Sequence, residues 1–116
     1  MATHELQAAV RERDAAVVID LTGDIDRSAE AVLDEAYVQA TRTALGSVVL
    51  NFEGTEYINS TGIALIVRLL AQARKDRLNV CAFGLSEHYR EIFEITRLSE
   101  FMTITNDEAG ALSHDA

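Results

Sequence analysis

Apolar and polar positions change period several times along the chain, and the changes mark out its elements. Leu6, Ala8 and Val10 alternate with Gln7, Ala9 and Arg11, the period of a half-buried strand over Leu6 to Arg11. Arg13-Asp14 supplies a turn, and Ala16 to Leu21 follows as a second strand whose Val17-Val18-Ile19 is apolar enough for a central position. The two pair as an opening hairpin. After Thr22-Gly23-Asp24-Ile25-Asp26, Ser28 is placed to cap a helix whose Leu33, Ala36, Tyr37, Ala40 and Ala44 share one face, with Gly46 ending it. Ser47 to Phe52, carrying Val48-Val49-Leu50, returns as a strand, and Ser60 to Lys75 has the length and composition of a second helix. Val80 to Phe83 is a fourth strand, Ser86 caps a helix bearing Tyr89, Ile92 and Phe93, and Phe101 to Ile104 forms a short last strand. Asn106 to Leu112 adds a final helical turn or two.

Strands alternating with helices after a hairpin predict an α/β domain with a mixed, mostly parallel sheet of four to five strands and crossover helices. No linker or repeat divides the chain, so one domain is expected over residues 1–110, with residues 111–116 as a flexible tail. The 116 residues, 48% apolar, suffice for a core without metal or disulfide staples, and six glycines with no proline imply short loops.

Charge narrows the function classes. Ten basic against 19 acidic residues give a net charge of −9, which repels phosphate backbones and anionic lipid surfaces, so direct nucleic-acid binding is not expected. The single cysteine, Cys81, lies in an apolar run and reads as a buried thiol, compatible with a reducing cytoplasm. The charged amino terminus has no apolar signal core, and no run of eighteen apolar residues occurs, so a cytoplasmic protein without membrane insertion is expected.

In sheets of this kind, functional groups gather beyond the carboxyl ends of the strands. The segment Tyr57-Ile58-Asn59-Ser60-Thr61-Gly62 lies there, after the third strand and at the start of the second helix. One reading of Ser60 and Thr61 is an N-cap, worth about 1 kcal/mol. The other is a phosphorylation site, since the positive end of a helix and its free amides suit a phosphate group. One hydroxyl suffices for capping, which leaves the second over.

From Gly23 to about Gly110 the chain resembles a STAS domain, the family of sulfate-transporter cytoplasmic domains and bacterial anti-sigma factor antagonists. The resemblance rests on Asn59-Ser60-Thr61-Gly62 against an Asp-Ser-Ser/Thr-Gly motif and on the turn Gly23-Asp24-Ile25-Asp26. It extends through the helical run Arg90 to Leu98, then Phe101, Ile104 and Asp107-Glu108-Ala109 in order. It implies a non-enzymatic switch without cofactor. The protein would bind an anti-sigma factor of histidine-kinase-like ATPase fold, be released by phosphorylation at Ser60, and be restored by a serine phosphatase. Asn59 departs from the family's Asp: an amide keeps hydrogen bonds to the loop but supplies no carboxylate to orient a hydroxyl. The resemblance also admits a constitutive adaptor, either a subunit of a lipid-transport ABC complex or a stress-signalling scaffold.

Further residues are drawn in by position. On the second helix Ile63, Ile66, Val67 and Leu70 form the expected core stripe, whereas Leu65 falls opposite with Arg68 and Gln72. Leu65 reads either as an isolated exposed leucine or, with Arg68 and Gln72, as a docking patch beside Ser60. Asp24 and Asp26 either cap the following helix or border Ser60. Enzyme readings find little support: the only lysine, Lys75, ends a helix, the phosphate-loop pattern is absent, and His4, His88 and His114 have no ligand spacing to Cys81.

Overall fold

The computed structural model describes residues 4–43 and 46–113. Among these residues, five strands form one sheet in the order β1 (Gln7–Arg13), β2 (Ala16–Thr22), β3 (Ser47–Gly54), β4 (Asn79–Phe83) and β5 (Thr103–Ile104). The β1–β2 hairpin is antiparallel, turning at Asp14 in the left-handed region (φ 55°), and every later pairing is parallel. Parallel neighbours require crossovers, which α1 (Glu30–Thr41), α2 (Ser60–Lys75) and α3 (Glu87–Ile95) provide. The last helix, α4 (Glu108–Ser113), covers the opposite face.

The alternation of β2, β3 and β4 divides the core. Val17, Ile19, Leu21, Val48, Leu50, Phe52, Val80 and Ala82 meet α1, α2 and α3, while Val18, Val49, Cys81 and Phe83 point the other way, beneath Ala111. Burial on both faces explains the unbroken apolar runs of β2 and β3. Phe52 and Phe93 meet edge to face at 6.1 Å in the main core.

Some boundaries differ from the sequence reading. Ser28 is not the first helix's cap: it lies inside a 3-10 turn, Arg27–Ala29, and donates its hydroxyl to Asp26, whose carboxylate caps that turn. The first helix ends at Thr41, and Gly46 (φ 130°) instead leads into β3. Ala44, expected on the helix face, is outside the described residues. Ser86 does cap α3, accepting from the Tyr89 N–H at 3.3 Å. Helix α4 runs to Ser113, and Ala111 and Leu112, assigned from sequence to the tail, are packed on the sheet.

Candidate functional site

The carboxyl ends of β2 and β3 are tied together by backbone. Ile25 and Ile58 form an isolated parallel bridge, the Ile25 N–H donates to the Tyr57 carbonyl at 2.9 Å, and the Asn59 N–H donates to the Ile25 carbonyl at 3.2 Å. The helix start approaches so closely that a Cβ on Gly62 would stand 1.9 Å from the Ile25 carbonyl oxygen. Only glycine fits that contact. From behind, the buried Tyr89 hydroxyl accepts from the Ile58 N–H at 2.9 Å, fixing the loop to α3.

Asn59 is the N-cap of α2: its Oδ1 accepts from the Gly62 N–H at 2.8 Å. The capping that the sequence reading offered to Ser60 or Thr61 is therefore done by the residue that replaces the family's Asp, because capping needs an acceptor oxygen and an amide has one. Ser60 and Thr61 become the first two residues of the helix. Both are exposed, and neither hydroxyl makes a hydrogen bond among the described residues. The first turn of α2 contains no acidic residue and its last turn carries Arg74 and Lys75, so its positive amino end faces Ser60 without a compensating carboxylate on the helix.

Asp24 and Asp26 lie in the adjoining loop. The Asp24 N–H donates to the His4 carbonyl at 2.7 Å, and Asp26 accepts from the Ser28 N–H at 2.9 Å and hydroxyl at 2.6 Å. Asp26 thus acts as a cap, and it makes no hydrogen bond to Ser60. Among the described residues no group of three or more His, Cys, Asp or Glu side chains is placed to hold a metal ion, and no helix is long and apolar enough to cross a membrane. His114 lies outside the described residues.

Leu65 and Val67 exchange the environments expected of them. Leu65 is half-buried against the main core, and Val67 is 44% exposed. The buried residues Gly62, Ile66, Leu69, Leu70 and Ala73 centre the inward face about 85° from Leu65 and about 115° from Val67, at about 100° per residue. Leu65, Arg68 and Gln72 line the groove against α1, where Arg68 pairs with Glu30 and Asp34 and the Tyr37 hydroxyl donates to Asp76 at 2.6 Å. Burial and the Asp76 carboxylate both push the Tyr37 phenol above its ordinary value, keeping it a donor. The Arg68 partners were missed because they come from another helix.

A family model described as "Mlab, STAS domain" matches residues 8–105. The chain belongs to the STAS-domain, anti-sigma factor antagonist family. This STAS domain is 32% identical over 102 residues to an anti-sigma-B factor antagonist of Listeria monocytogenes, covering 85% of this chain and 88% of the relative. Its fold is similar to that of an anti-sigma factor antagonist from Mycobacterium paratuberculosis, with a TM-score of 0.77 at 16% identity over 94% of this chain and 92% of that one. It is also similar to the Bacillus cell fate determinant SpoIIAA in the phosphorylated form, with a TM-score of 0.70 at 20% identity over 94% and 99% of the two chains. At these identities the solved structures speak to the fold of the STAS domain.

Proposed function

We propose that this STAS domain is an anti-sigma factor antagonist that docks on an anti-sigma factor of kinase-like ATPase fold and is released when Ser60 is phosphorylated. The observation that carries the reading is the Ser60 hydroxyl: exposed, without a hydrogen-bond partner among the described residues, and relieved of capping by Asn59. The family and the relatives named as antagonists support it. The partner supplies the chemistry: the Ser60 oxygen attacks the γ-phosphorus of the partner's ATP, ADP leaves, and the hydroxyl proton passes to a base of the partner. A serine phosphatase reverses the mark in the cytoplasm. Asn59, Thr61 and Gly62 flank the acceptor in the docking surface.

A phosphate adds about −1.5 to −2 charges and three strong acceptors at one surface point. Burying that charge in an interface without a cationic partner costs several kcal/mol, and about 4 kcal/mol weakens binding roughly a thousandfold. No refolding is required. Glu53 and Glu56, both exposed just before the loop, add to repulsion from an acidic partner.

A second reading, a constitutive adaptor, rests on Asn59, which holds the loop without offering Ser60 a carboxylate. Site mapping by mass spectrometry on protein from its own cells, with identification of co-purifying proteins, separates the two. The antagonist reading expects phosphate on Ser60 and an ATPase partner retained by Ser60→Ala but lost by Ser60→Glu. An unmodified Ser60 under every growth condition, with one partner held equally by both variants, establishes the adaptor.

A further inference from the structure

We infer that the groove between α2 and the segment joining α3 to β5 receives an acidic amphipathic helix of the partner. This deepens the antagonist reading and rests on it for the partner's existence. The groove, about 540 Å³, is lined by Val67 and Ala71 of α2 and by Leu98 and Phe101 of the joining segment. Val67 and Phe101 are 44% and 50% exposed, although both are large apolar side chains.

Charge selects the occupant. Among the described residues, the only charged ones lining the groove are Arg74 and Lys75, on a chain whose net charge is −9. The Arg74 guanidinium lies over the Phe101 ring, 5.7 Å from its centroid, and neither cation forms an ion pair among the described residues. On the other flank of α2, Arg68 is neutralised by Glu30 and Asp34. Two uncompensated cations beside an apolar floor complement a helix with apolar anchors at i, i+3, i+4 and i+7 and carboxylates alongside.

Ser60 lies on the same track. Ser60, Val67, Ala71 and Arg74 are all exposed and fall within an arc of about 60° along α2, with Ser60 about 10 Å from Val67 along the axis. A helix seated in the groove therefore extends toward Ser60. Phosphate there adds like charge at the end of the track, so the groove explains why a modification at Ser60 opposes an acidic partner.

The test places photoreactive p-benzoylphenylalanine at position 101, at Val38 on the α1 side of α2, and at Tyr57 beside the Ser60 loop, in source cells carrying Ser60→Ala. Cross-linked peptides are sequenced, and the captured partner is purified for affinity measurement. Position 101 is expected to capture a segment of net negative charge with apolar residues at helical spacing. Lys75→Glu, an exposed change checked for folding by circular dichroism, is expected to weaken the purified partner's affinity at least tenfold. Capture from Tyr57 but not from position 101 overturns the groove and leaves the antagonist reading standing. A captured second copy of this chain, a segment without net negative charge, or unchanged affinity of Lys75→Glu also overturns it. No capture from any position overturns the groove, and the antagonist reading then stands or falls on Ser60 mapping.

Discussion

Around Ser60 the chain is held by backbone: the Ile25–Ile58 bridge, the Asn59 N–H on the Ile25 carbonyl, and a glycine contact with no space for a side chain. On the outer face of the sheet, α4 is held by charge. Glu108 accepts from Arg11 and Arg13, Arg11 also grips Asp20 at 2.7 Å, and Asn51 completes the network by donating to Asp20 at 2.7 Å. Beneath α4 the apolar contact is small, with Ala111 over Ala16, Val18, Val49, Cys81 and Phe83. Backbone bonds and steric fit do not titrate; carboxylate–guanidinium pairs do. The region that carries the proposed modification is thus insensitive to charge in its own conformation, whereas the far face is sensitive.

The sharpest way to break this contrast is Gly62→Ala. A methyl group directed at the Ile25 carbonyl must push α2 away from the β2 loop, and we expect a loss of about 3 kcal/mol in urea unfolding. A loss below about 1 kcal/mol would mean that the loop yields easily. Tyr89→Phe comes next: it strands the buried Ile58 N–H and should cost about 2 kcal/mol by the same measurement.

The charged face predicts smaller, pH-dependent effects. Hydrogen bonds from Arg11 hold the Asp20 and Glu108 carboxyls below their ordinary values of 3.8 and 4.5. Their stabilisation is present above those values and is lost as pH falls through the lower folded-state values. Because the pairs are partly exposed, removing them by Arg11→Met should cost about 0.5 to 1 kcal/mol near neutral pH and flatten the acid limb of the stability curve. Reaction of Cys81 with 4,4'-dithiodipyridine reports the opening directly, since this thiol is 4% exposed under α4. Its rate should rise below about pH 4 in the parent and already at neutral pH in Arg11→Met. The smallest effect is expected at the site itself: Ser60→Glu should shift global stability by less than about 0.5 kcal/mol, because the side chain is exposed and unpartnered among the described residues. A large shift would show that the loop does respond to charge.

Much of the site was legible in local signals. Ser60 to Lys75 reads as a helix and is one, Ser86 caps its helix, and the hydroxyl pair falls at a helix start beyond a strand. The cap itself was misassigned because Asn, Ser and Thr are all good N-caps, and only the turn geometry decides among adjacent candidates. Tyr89 read as a residue of the third helix, which it is; nothing local reveals that it is buried and that its hydroxyl reaches a loop 31 residues away.

By itself the sequence determined the order of elements, the opening hairpin, the two-sided burial of the central strands and the family motif. These depend on periodicity, caps and turns within short windows. The tertiary structure alone decided which hydroxyls remain free, that Gly62 sits against Ile25, and that α1 covers Leu65 while Val67 opens onto a basic groove. A helix has one inward direction only once its neighbours are in place, and residues far apart in the chain establish those neighbours.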